Sequence, residues 1–195
     1  MLAFPVTKPN VPVDMHGWFD DRNKEFLKDI ITPQMKVIVE LGAWLGTSTR
    51  WLCDNSSAKV FSVDHWQGSI EHQGRKDVKD KLSTLYETFL VNCWSHKDRI
   101  VPVRMNTISG MHYIHDNDIV PDMIFVDASH EYEDVLKDLE TANMLFPRAI
   151  LCGDDWSWRN RKQDKRKTVK EAVKTFSKQK KLKIIHNSRC WMIKK

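Results

Sequence analysis

An α/β fold with a doubly wound, mostly parallel sheet is what the sequence predicts, and three observations predict it. Short β-branched runs alternate with helical patterns along nearly the whole chain, the order that yields a parallel sheet covered on both faces. Within those runs the apolar residues are continuous rather than alternating, as in strands buried on both sides. The chain then closes on two short apolar runs around a polar turn, which reads as an antiparallel hairpin.

Residues 1–34 read as an irregular segment followed by a helix. GWFDDRNKEFLKDII sets Phe19, Phe26, Leu27 and Ile30 near one helix face, suited to packing on the sheet edge. The core, 35–195, opens with MKVIVELG, a buried parallel strand ending in glycine. GTSTRWLCDN reads as a helix opened by Thr47 or Ser48, and KVFSVD as the second strand. A helix within DVKDKLSTLYETFLVNCW leads to the strand RIVPVR, and a short helix around SGMHYIHD leads to DMIFVD. Val135, Leu136, Leu139 and Leu145 then recur at helical spacing ahead of the strand RAILCGD. The helix TVKEAVKTFSKQ and the hairpin KLKIIHNSRCWMIKK complete a seven-stranded sheet. No repeat, low-complexity tract or linker divides the chain, so 1–195 reads as one domain.

Composition narrows the class. Apolar residues are 41% and charged residues 29% of 195, which argues against intrinsic disorder. No apolar run approaches the ~20 residues of a membrane helix, and the first residues are too weakly apolar for a signal peptide. A soluble, cytoplasmic protein with no membrane partner is expected. Cys53, Cys93, Cys152 and Cys190 lie far apart, without zinc spacing, and read as reduced thiols, mostly in the core. The net charge of +5 is uneven: residues 159–183 hold twelve Lys and Arg against two acids, and the remainder is mildly acidic. Such a segment suits phosphates or an anionic polymer, and equally a solvated helix face.

An open parallel sheet binds ligands beyond the carboxyl ends of its strands, so the residues that follow each strand carry the functional information. The first strand ends in Glu40-Leu41-Gly42-Ala43-Trp44-Leu45-Gly46. Its glycines permit a tight turn and close approach to a ligand at a helix amino terminus. The loop lacks the Lys of a phosphate-binding loop and the full dinucleotide fingerprint; the acid before the glycines suits a cationic or amino-bearing ligand instead. The second strand ends in Val63-Asp64-His65-Trp66, where an acid fits a ribose diol and Trp66 could cover an adenine face.

This Glu-Leu-Gly-x-x-x-Gly loop with an acid after strand two resembles the class I S-adenosylmethionine-dependent methyltransferases, over essentially the whole chain. The resemblance implies a Rossmann-like sheet with the terminal hairpin as its last two strands. It also implies a cofactor site built from Glu40, Gly42, Ala43, Gly46, Thr47 and Ser48 around the methionine moiety, with Asp64, His65 and Trp66 at the ribose and adenine. Asn106 and Thr107, after strand three, fall where the family often contacts adenine, although the usual acid is missing there.

Strand four ends in Val126-Asp127-Ala128-Ser129-His130-Glu131-Tyr132 and strand five in Gly153-Asp154-Asp155-Trp156. Adjacent parallel strands lie about 5 Å apart, so three carboxylates could converge, and a hard divalent ion would turn their repulsion into attraction. An all-oxygen set suits magnesium, manganese or calcium rather than zinc. The constellation resembles the metal-dependent O-methyltransferases, and two departures from their phenolic members point to one branch. The pair after strand five is Asp-Asp rather than Asp-Asn, and His130 stands where phenolic and catechol members often have Lys. The D-x-x-H-x-Y pattern of Asp127, His130 and Tyr132 is similar to the macrolide-sugar and cephalosporin-hydroxylase-like branch.

The resemblance implies Asp127, Asp154 and Asp155 as ligands of Mg2+ or Mn2+, Asp127 also bordering the cofactor. His130, with an unperturbed pKa of ~6.5, would be the base that takes the acceptor proton. The acceptor would be a hydroxyl of a sugar or glycan, in a pocket walled by loops 65–80 and 155–168 or by a second subunit of a homo-oligomer. Trp156, Trp158 and His72 could line that pocket, and 67–75 suits a flap. Two other readings remain: methylation of a phenol or catechol, and of nucleic acid through the basic segment. A non-catalytic domain of the same fold is a fourth.

Overall fold

The computed structural model describes residues 2–69, 72, 74–158 and 168–194. Its strands are β1 (Val37–Leu41), β2 (Lys59–Asp64), β3 (Ile100–Arg104), β4 (Met123–Val126), β5 (Ile150–Gly153), β6 (Lys183–His186) and β7 (Trp191–Lys194). Its helices are α1 (Asp21–Lys28), α2 (Thr47–Asn55), α3 (Lys76–Lys79), α4 (Leu85–Asn92), α5 (Thr107–Asp116), α6 (Tyr132–Leu145) and α7 (Val169–Lys180).

The strands form one sheet in the order β3-β2-β1-β4-β5-β7-β6. Neighbours from β3 to β5 are parallel, whereas β7 inserts between β5 and β6 antiparallel to both. The Rossmann-like doubly wound sheet with a terminal hairpin is therefore present. Two apolar clusters sandwich it. On one face Val39, Leu41, Val63 and Ile124 pack under α5, α6 and α7 through Met111, Leu139 and Phe176. On the other Ile38, Val60 and Phe125 pack under α2 and α4 through Leu52 and Phe89. Successive strand residues thus face opposite apolar layers, which is why the strands read as continuous apolar runs.

Three local expectations are corrected. The first helix begins after Asp20, whose side chain accepts from Arg22 N–H and forms a capping box with Asn23, so Phe19 lies outside it. Leu27 of this helix and Ile30, just beyond its end at Lys28, join the cluster of Ile38, Met123 and Phe125 on the central strands, so the segment covers a sheet face rather than an edge. Helix α2 is capped by Gly46 in the left-handed region (φ 83°), so neither Thr47 nor Ser48 is its cap. At Gly46 a Cβ would lie 2.4 Å from Cys93 Sγ, so glycine is required twice over. All four cysteines are free and buried. Among the described residues no helix is long and apolar enough to cross a membrane.

Candidate functional site

Both groups of singled-out residues lie at the carboxyl ends of β1, β2, β4 and β5. At Gly42 (φ 89°) a Cβ would stand 2.1 Å from the carbonyl oxygen of Asp127, so the loop after β1 lies directly against the end of β4. Period-two geometry turns Glu40 to the same face as Ile38, under α2. It is fully buried, and its Oε2 accepts from the Thr49 and Ser62 hydroxyls. Burial pushes its pKa up to about 7, against the pull of the Thr49 and Ser62 hydroxyls. Its Oε1 is buried without a hydrogen-bond partner, as are Trp44 Nε1 and Thr47 Oγ1 in the same loop. Buried orphans of this kind are rare in a finished interior. Their clustering over residues 40–47 fits a polar ligand lying against the loop.

Asp64 ends β2, as expected, with its carboxylate turned into the glycine loop. Its Oδ2 accepts from the N–H groups of Ala43 and Trp44, both at 3.0 Å, and its Oδ1 from Trp66 N–H at 2.7 Å. Trp44 (φ 47°) and Trp66 (φ 50°) both sit in the left-handed region, which costs a bulky residue on the order of 1–3 kcal/mol. The carboxylate offsets that strain by clamping both loops together. With Oδ2 doubly engaged, only Oδ1 keeps an acceptor position, so the bidentate ribose contact does not fit this arrangement.

Trp66 is also corrected. Its ring packs on Tyr86 and Phe89 at 3% exposure and donates Nε1–H to the Trp44 carbonyl, so it belongs to the core and offers no face to an adenine. His65 is at the surface, its Nδ1 accepting from Gln67 N–H. Asn106 caps α5 by accepting from Ser109 N–H, and Thr107 donates to the buried Asp138 at 2.5 Å. Both are committed to local structure.

The second group converges as expected. Asp127, Asp154 and Asp155 each bring a carboxylate oxygen within 4.8 Å of the others. Opposite ligands of a six-coordinate hard cation lie ~4–5 Å apart, so the donor set fits such an ion. Burial and the two neighbouring carboxylates push Asp127 well above the usual carboxylate range. Asp154 is raised to about 6 by burial and by Asp155, with Arg189 opposing. Asp155 adopts φ 62°, a further strained non-glycine position. His130 Nε2 lies 2.8 Å from Asp155 Oδ2, and its ring stacks on Trp158 with centroids 4.1 Å apart. Trp156 instead lies in the core and stacks on His186.

Sequence reasoning missed Arg189. From the β6–β7 turn its Nη2 reaches Asp154 Oδ2 at 2.9 Å, and Nη1 lies 3.7 Å from Asp155 Oδ1. The same Nη2 donates to the Trp18 carbonyl. The N-terminal segment therefore runs across the site, where Trp18, Trp44 and His72 form an aromatic cluster. Of the expected flap, residues 70, 71 and 73 lie outside the described residues; so do 159–167 of the basic segment and of the loop after β5.

A family profile described as a methyltransferase domain matches residues 39–156, more than half of the chain. The chain belongs to the methyltransferase-domain family. No curated protein sequence matches this methyltransferase. Solved structures share its fold. An O-methyltransferase from Bacillus cereus, in complex with SAH, is 18% identical with a TM-score of 0.58, covering 94% of this chain and 84% of that one. An rRNA methylase from Streptococcus thermophilus is 13% identical with a TM-score of 0.53, covering 88% and 92%. Neither has enough identity to carry an acceptor across, but the class I architecture of the methyltransferase is plain.

Proposed function

We propose that this methyltransferase is an S-adenosylmethionine- and divalent-metal-dependent O-methyltransferase acting on a sugar or glycan hydroxyl. The observation that carries the reading is the trio Asp127, Asp154 and Asp155, converged beside His130 and next to a glycine loop with three buried orphan atoms.

In this reading the loop from Glu40 to Ser48 holds the methionine end of the cofactor, Glu40 Oε1 receiving its ammonium group. Asp64 shapes the loop and touches the ribose through Oδ1 alone. Asp127, Asp154 and Asp155 hold Mg2+ or Mn2+, which when bound supplies Lewis acidity that eases loss of the hydroxyl proton. His130, whose Nε2 lies 2.8 Å from Asp155 Oδ2, is the base that takes that proton. S-adenosylmethionine held in that loop would supply the methyl group to the acceptor oxygen, its sulfonium becoming a neutral thioether. The Asp155 carboxylate stabilises the imidazolium that results. Trp158, stacked on His130, keeps the ring in place and offers an apolar edge to the acceptor. His130 in place of a lysine favours a sugar hydroxyl over a phenol.

The test is calorimetry with S-adenosylhomocysteine, with Mg2+ and then with chelator, on wild type and Asp154→Ala, followed by labelled methyl transfer to sugar diols and to catechol. Cofactor binding, a separate Mg2+ heat absent from Asp154→Ala, and transfer to a sugar diol are expected. Cofactor binding with no metal site, or transfer to catechol alone, would overturn the metal or the sugar assignment respectively.

A further inference from the structure

We infer that Arg189 is a built-in cation of the carboxylate trio, which holds Asp154 and Asp155 until a divalent ion displaces it and so sets the ion affinity of the site. The inference rests on the metal reading above and concerns a residue to which that reading assigns no role.

The charge balance comes first. With all three carboxylates ionised, as they would be around a divalent ion, the trio and one guanidinium carry two negative charges, the complement of that ion. Arg189 and such an ion are therefore drawn to the same oxygens, while repelling each other at close range. The backbone of Arg189 is tied on both sides. Its N–H and that of Cys190 both donate to Asn187 Oδ1, at 2.7 and 2.6 Å, and its carbonyl accepts from Trp156 N–H at 2.8 Å.

The side chain is held less completely. Nη2 donates to the Trp18 carbonyl and pairs ionically with Asp154 Oδ2 at 2.9 Å, but Nη1 stands 3.7 Å from Asp155, an ion pair beyond hydrogen-bond distance. Nε is buried with no partner, an unmet desolvation cost that favours leaving. The side chain is 21% exposed, so the guanidinium has a route towards water without movement of the turn. Withdrawal would also release the Trp18 carbonyl, linking ion binding to the N-terminal segment that crosses the site.

The experiment titrates Mg2+ alone, without cofactor or acceptor, into wild type, Arg189→Gln, Arg189→Met and Arg189→Lys, each checked for folding by circular dichroism. Loss of the positive charge is expected to tighten Mg2+ binding roughly tenfold or more in the Gln and Met variants. The Lys variant, which keeps the charge, should stay within about threefold of wild type. Melting with and without Mg2+ supplies a second readout: the Gln and Met variants should melt lower than wild type without the ion and gain more from it. A residue that only braces the turn would give the opposite, equal or weaker Mg2+ binding in both variants, and that result overturns the inference while leaving the metal reading intact. Absence of Mg2+ binding in wild type and variants alike overturns both.

Discussion

At the scale of single residues, the site is a set of acids whose burial opposes their ionisation. Glu40 titrates near 4.5 when free and is pushed up to about 7 in the folded chain. Between those values the folded state binds more protons than the unfolded state, so stability falls as pH rises through that window and levels off above it. The loss is on the order of 3 kcal/mol. Asp138, raised to about 7 by burial against the pull of Thr107, adds a contribution of the same sign. Glu40→Gln should flatten the melting temperature between about pH 5 and 8 while weakening S-adenosylhomocysteine binding; calorimetry and thermal melts read the two effects separately. His130→Gln should leave that binding unchanged and lower turnover by ~100- to 10,000-fold, the usual range for losing a general base. Equal loss of cofactor affinity would make His130 a structural partner of Asp155. The acids at the strand ends were legible because chemistry-bearing residues follow strands in this fold. The clamp made by Asp64 was not, since its partners Ala43 and Trp44 lie across a loop whose positive φ angles no local pattern announces.

At the scale of elements, the hairpin does more than close the sheet. Gly153, the last residue of β5, pairs with Trp191 of β7, and a Cβ there would lie 2.4 Å from the indole and 2.5 Å from the Val126 carbonyl. Trp191 Nε1 in turn donates to the Asp154 carbonyl at 2.8 Å. The Asp154–Asp155 pair is thus held from behind by a strand that arrives last in the chain. Gly153→Ala should cost about 1–3 kcal/mol by overpacking, seen as a lower denaturant midpoint at unchanged slope. Because the displaced atoms support Asp154, its Mg2+ heat should fall in parallel. Helix and strand positions were mostly readable from periodicity. The start of α2 was not, because its cap is a left-handed glycine that lacks a side chain to announce it.

At the scale of the whole molecule, the trio is a site of stored repulsion that a cation relieves. An ion bound only by the folded chain stabilises it by mass action, about 2.7 kcal/mol at a hundredfold excess over Kd. For a chain of this length that raises the melting temperature by roughly 5–10 °C. Differential scanning calorimetry with Mg2+ and with chelator should show the rise in wild type and its absence in Asp154→Ala; no rise in wild type would count against an ion at the trio.

Local sequence was enough to specify the alternation of strands and helices, and with it the placement of Glu40, Asp64, Asp127, Asp154 and Asp155 at one end of a parallel sheet. That followed because strands joined by crossover helices all point the same way, so every strand end meets the same ligand-facing edge. Tertiary structure alone decided that β7 would insert beside β5, carrying Arg189 onto Asp154, and that the N-terminal segment would bring the Trp18 carbonyl to the same guanidinium. Strand order and chain crossings arise from pairings between residues far apart in sequence, such as Gly153 with Trp191. Their energies come from burial and long-range contact, to which hydrophobic periodicity within a short window is blind.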